Sequence, residues 1–107
     1  MSKIPCEYSG GGTDKSSKFT LKNGATLVYA KQFDHVVDFV ITVPNNLANG
    51  AELAKVDRSI VRSDLYAPNI RSTTYICNIG FNGDSLYVYI ERETTSRQGW
   101  AHFIYTV

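Results

Sequence analysis

Two histidines are the natural place to look for chemistry in this sequence. His35 follows Asp34 in a short polar stretch, and His102 stands two residues after Trp100. Nucleophilic catalysis would need a serine or cysteine presented in a strained turn, with a base held by a carboxylate. No such elbow motif occurs, and Cys77 falls inside an apolar strand pattern, where it reads as a small core residue. Cys6, close to the N-terminus, reads as an incidental free thiol. Two cysteines and two histidines are too few for a disulfide scaffold or a zinc site. The run Ser9-Gly10-Gly11-Gly12 could cradle phosphate only with a following helix and, for a Walker motif, a Gly-Lys-Ser/Thr triplet, and neither is present. The expectation is therefore no catalysis, no metal and no cofactor.

Binding is the chemistry these residue types do allow. Trp100 and His102 share one face of the last predicted strand, and Tyr87 and Tyr89 alternate in the strand before it. Flat aromatic faces stack on the C–H faces of sugars, while their polar tips make hydrogen bonds. The loop Thr94–Gly99 supplies Arg97 and Gln98 just before Trp100, and loops meeting a rigid sheet are where binding residues concentrate. The predicted site is a shallow saccharide surface of Trp100, His102, Arg97 and Gln98. Asp34 and His35 are outlying members, at the same end of the fold as Trp100 or at the opposite one. Trp100 also has a plain structural reading, as a residue that completes the core. Arg58, Arg62, Arg71, Arg92 and Arg97 are scattered among acids, which reads as a solvated face rather than a groove for single-stranded nucleic acid.

These residues need a rigid support, and the pattern supplies one made of strands. Thr73–Phe81, Ser85–Glu91 and Trp100–Val107 alternate with period two: Leu86, Val88 and Ile90 fall on one side, Tyr87, Tyr89 and Glu91 on the other. Asn82-Gly83 between the first two predicts a hairpin with a type I′ turn. Asn23-Gly24, between Phe19–Leu21 and Ala25–Ala30, repeats that signal. Lys31–His35 is a mainly polar interruption, and Val36–Val43 is the most hydrophobic strand, ended by Pro44. On that strand Val37, Phe39, Ile41 and Val43 share a face; Val36, Asp38, Val40 and Thr42 share the other. Glu52–Val56 fits one helical turn or a short strand, and the strand is favoured because so short a helix gains little. Asp57–Asn69 reads as irregular. Six or seven short strands without a long amphipathic helix predict an all-β domain, a small antiparallel sandwich or barrel.

The 107 residues suffice for one domain: residues 1–17 read as a flexible Gly/Ser-rich leader and 18–107 as a single β domain. An apolar share of 43% and a charged share of 20% fit a folded soluble chain, and a net charge of +1 provides no global field for nucleic acid or anionic membrane. No apolar run approaches the roughly 20 residues of a membrane helix. Met-Ser-Lys-Ile-Pro-Cys lacks the apolar stretch of a signal peptide, so synthesis in the cytoplasm is expected.

The order of features resembles the C-terminal head domains of tailed-phage receptor-binding and tail-fibre proteins. The matching pieces are Leu21-Lys22-Asn23-Gly24, Val36–Val43, Tyr66-Ala67-Pro68, Asn82-Gly83-Asp84 and Phe103-Ile104-Tyr105-Thr106, spanning about Phe19 to Val107. Ala67 stands where that family usually carries Arg. The resemblance implies a β-sandwich or jelly-roll head, a homotrimer, a place in the virion tail, and non-catalytic adhesion to a host cell-surface glycan. Val36 and Val40 give one side of their strand more apolar surface than a lone sandwich must bury, and a neighbouring subunit around a threefold axis would cover it. The competing expectation is a small cytoplasmic inhibitor, encoded by a phage or bacterium, that binds a host protein.

Overall fold

Alternation of apolar and polar residues over short runs dictates strands, and strands are what form. The computed structural model describes residues 12–71, 75–93 and 99–107, without the side chains of residues 68, 69, 92 and 93. Among the described residues nine strands are present: β1 (Thr13–Asp14), β2 (Phe19–Leu21), β3 (Leu27–Phe33), β4 (Val36–Val43), β5 (Glu52–Val56), β6 (Tyr66–Arg71), β7 (Tyr75–Asn82), β8 (Ser85–Glu93) and β9 (Gly99–Thr106). Two 3₁₀ turns, Ser16–Lys18 and Arg58–Ile60, are the helical pieces among the described residues. Sheet A has the order β1-β3-β4-β9 and sheet B the order β2-β5-β8-β7-β6. Every described strand pair is antiparallel. The two sheets face each other as a sandwich, which is the predicted class.

The core lies between the sheets and follows the alternation residue by residue. On β4, Val37, Phe39, Ile41 and Val43 are fully buried, while Val36, Asp38, Val40 and Thr42 are half-buried on the outer face. Each such buried side chain contributes about 1.5–3 kcal/mol relative to exposure. Phe39 stacks on Phe103 of β9 at 4.9 Å between ring centroids and 17° between planes, and takes the edge of Phe19 at 4.9 Å. Sheet B answers with Leu53, Cys77, Ile79, Leu86 and Val88, all fully buried. Two tyrosine hydroxyls tie the sheets at opposite ends. Tyr105 of β9 donates to the carbonyl of Ile60, and Tyr75 of β7 donates to the carbonyl of Pro44.

Several local expectations need correction. Asn82 pairs with Ser85, so the β7–β8 loop consists of Gly83 and Asp84. Of these only Gly83 has positive φ, at 66°, the pattern of a II′ loop with glycine first rather than an I′ loop on Asn-Gly. Asn23 and Gly24 do adopt positive φ, 56° and 83°, with Ala25 N–H donating to the Lys22 carbonyl. They do not close a hairpin, however: β2 joins sheet B and β3 joins sheet A, so this turn carries the chain between layers. The polar interruption shrinks to Asp34 and His35, because β3 runs on to Phe33, which pairs with Val36. Within the linker-like leader, Thr13 and Asp14 pair with Gln32 and Lys31. β6 occupies part of the stretch expected to be irregular, and its pairing with β7 shifts between Ala67 and Ile70, around Pro68. An edge position and a bulge are where a strand tolerates proline.

Candidate functional site

β9 alternates buried and exposed along its whole length, which sends Trp100, His102, Ile104 and Thr106 to the outside of sheet A. Register with β4 sets Trp100 beside Thr42, His102 beside Val40, Ile104 beside Asp38 and Thr106 beside Val36. β3 continues the rows on the far side, with Tyr29 next to Val40, Lys31 next to Asp38 and Phe33 next to Val36. The outer face of sheet A thus sets aromatic and aliphatic groups around the Asp38 carboxylate, whose row continues through Lys31 to Asp14 on β1.

That carboxylate organises the polar part. Asp38 Oδ1 accepts the Tyr29 hydroxyl at 2.9 Å and lies 2.7 Å from His102 Nε2. Tyr29 Oη is 3.4 Å from the same imidazole nitrogen, and the two rings meet edge to face at 6.4 Å. The arrangement requires the His102 proton on Nε2. Asp38 Oδ2 takes no hydrogen bond from any described residue, and the Asp38 side chain is 21% exposed. Partial burial raises the Tyr29 phenol above its ordinary pKa, and the hydrogen bond to Asp38 and its negative charge act in the same direction. A depression of about 300 Å³ opens beside this cluster, lined by Tyr29, Lys31, Phe33 and Asp38.

Trp100 is 58% exposed, so the core reading of this residue fails. Its neighbour on that face, His102, is likewise exposed. The other expected members do not join them. Asp34 and His35 form the β3–β4 loop, nearly bare, with His35 Nε2 3.7 Å from Asp34 Oδ1. Their end of sheet A is the Thr106 end, where Val107 N–H donates to the His35 carbonyl. Thr42, the partner of Trp100, is seven residues from His35, or roughly 23 Å along the strand. Arg97 and Gln98 lie outside the described residues. Tyr87 and Tyr89 are on β8, in sheet B, so they are not neighbours of β9. They make a separate aromatic surface, 6.4 Å apart, beside Tyr66, whose ring lies against Gly80 in the space a Cβ there would need.

The residues missing from the sequence reading of the site are Tyr29 and Asp38. Asp38 had a signal: it is the only charged residue in the most apolar strand, and it sits on the outer face. Tyr29 had none, since its closeness to His102, 73 positions away, exists only through the β3–β4–β9 register.

A second depression, about 380 Å³, lies among Ser17, Lys18, Thr20, Lys55, Val56, Asp57 and Asp84. Its charges already neutralise one another, Lys55 with Asp84 at 3.5 Å and Lys18 with Asp57 at 3.9 Å, and no aromatic ring lines it. The outer face of sheet A is the better candidate. Among the described residues no three His, Cys, Asp or Glu side chains cluster as metal ligands, and no helix is long and apolar enough to cross a membrane. Comparison with known protein families, with curated proteins and with solved structures yields no match.

Proposed function

We propose that this domain is a non-catalytic recognition module that holds a saccharide on the outer face of sheet A, as the receptor-binding head of a phage tail fibre or baseplate does with host surface glycan. One observation carries the reading: an exposed tryptophan stands one row from His102 and two rows from the Asp38 carboxylate, whose Oδ1 is held by Tyr29 and His102 and whose Oδ2 takes no hydrogen bond from a described residue. Trp100 offers a ring for the C–H face of a sugar, and Asp38 offers an acceptor for its hydroxyls. Tyr, His and Asp are also the residue types of acid–base catalysis. Here they lie on the outer face of a sheet, with His102 more than half exposed to water. The phage context rests on the motif resemblance. Arg97 and Gln98 enter the proposal because they immediately precede Gly99 in the chain.

The exposure of Trp100 makes Trp100→Ala a usable test, since its loss opens no buried cavity. A glycan array with the parent chain, Trp100→Ala and His102→Ala, each checked for an unchanged β-sheet circular dichroism spectrum, decides the matter. The expected result is saccharide binding by the parent, weakened at least tenfold by each change. Two folded variants that bind as the parent does would refute this site, and a parent that binds no glycan would refute the function.

A further inference from the structure

The four sheet edges of this sandwich are not alike. β1 is two residues long and β2 three, while β6 is broken by a register shift around Pro68. Short, bulged or proline-bearing strands are how proteins keep an edge from recruiting another strand. β9 has none of these devices. It is eight residues long, it pairs with β4 from end to end without a register shift, and Gly99–Thr106 contains no Asp, Glu, Lys, Arg or Pro. β6 packs close by, with the Arg71 carbonyl beneath Gly99, but forms no ladder with β9. Among the described residues, nothing pairs with the outer edge of β9.

We infer that β9 pairs antiparallel with β9 of a second copy of this chain, joining two sheets A into one eight-stranded sheet. A strand that meets itself about a twofold axis must be its own complement, and an uncharged strand meets that condition without like-charge repulsion across the seam. With the twofold axis at Ile104, which is 62% exposed, the two Ile104 side chains would meet on the outer face. Residues 1–11 of the same chain are the poorer occupant: they attach at β1, on the far edge of sheet A, and carry Pro5. The inference stands independently of what the outer face binds.

Light-scattering mass on the full chain tests this, together with Ile104→Lys, which charges the seam, and Val28→Lys, which charges an exposed position on β3. The expected result is a dimer for the parent and for Val28→Lys, and a monomer with an unchanged circular dichroism spectrum for Ile104→Lys. Hydrogen exchange on the parent needs no variant: amides of β9 should gain protection as concentration rises, with those of β6 unaffected. A parent that stays monomeric at about 100 µM overturns the inference, as does a dimer that survives Ile104→Lys. A trimer overturns it too, and favours threefold packing through Val36 and Val40 instead.

Discussion

Replacing Tyr105 with Phe isolates one hydrogen bond that holds the two sheets together. The ring stays, so packing against Phe39 at 6.2 Å is retained and no cavity opens. What disappears is the donor to the Ile60 carbonyl, at a residue with no exposed surface. A buried carbonyl left without its donor costs about 1–3 kcal/mol. Taking about 2 kcal/mol, a domain of this size should melt roughly 10 °C lower. Thermal and urea unfolding followed by far-ultraviolet circular dichroism would measure it. A pH arm adds a second check. Burial raises the Tyr105 phenol well above its ordinary value, so the folded state keeps a proton that the unfolded chain releases near pH 10. The stability that depends on this proton is fully present below about pH 10 and is lost as pH climbs toward the folded-state value. The gap between parent and variant should therefore narrow above pH 10. Tyr29 shifts in the same direction, but it is present in both proteins and cancels in the difference. Equal melting temperatures at pH 7 would refute the reasoning.

Two glycine substitutions separate torsion from space. Gly83→Val should destabilise by about 1 kcal/mol or more although a Cβ there meets nothing within 4 Å, because a β-branched residue resists φ of 66°; unchanged thermal stability would count against the turn assignment. Gly99→Ala should cost about 3 kcal/mol for the opposite reason, since its Cβ would sit 1.8 Å from the Arg71 carbonyl oxygen. A Gly99→Ala protein with the parent's urea midpoint would show that β6 does not pack under β9 as described.

The sandwich class was legible because alternation is a local signal, and β4 matches its predicted bounds at both ends. Buried Val37, Phe39, Ile41 and Val43 against half-buried Val36, Asp38, Val40 and Thr42 is what the two-residue period requires. Pairing was less legible. Asn23-Gly24 announces a tight turn, yet turn chemistry does not say whether the next strand folds back in the same sheet or crosses to the other. Phe19 crosses over because it pairs with Val56, a choice made by tertiary contacts. The site fared similarly. Trp100 and His102 share a face by sequence spacing alone, but whether that face is core or surface depends on which side carries Phe103 and Tyr105, a question of relative apolarity. Asp38 joins His102 only through strand register, and Asp34 and His35 are separated from Trp100 by the length of β4, which no composition reveals.

β4 and β9 pair along their full length, yet the partners are between 56 residues (Val43 and Gly99) and 70 residues (Val36 and Thr106) apart in the chain. Closing loops of that length is slow, so folding of this domain should be limited by the arrival of its last strand. The β7–β8 and β3–β4 hairpins are local and can form early. Until β9 docks, however, the most apolar strand in the sequence presents a bare edge to its surroundings, and Phe39 lacks Phe103 to stack on. A partly folded chain in that state is open to pairing with its neighbours. Rapid refolding at high concentration should therefore yield aggregates seeded at β4, and slow dilution should yield native protein. The strand that carries Trp100 and His102 is also the one that ends this exposure.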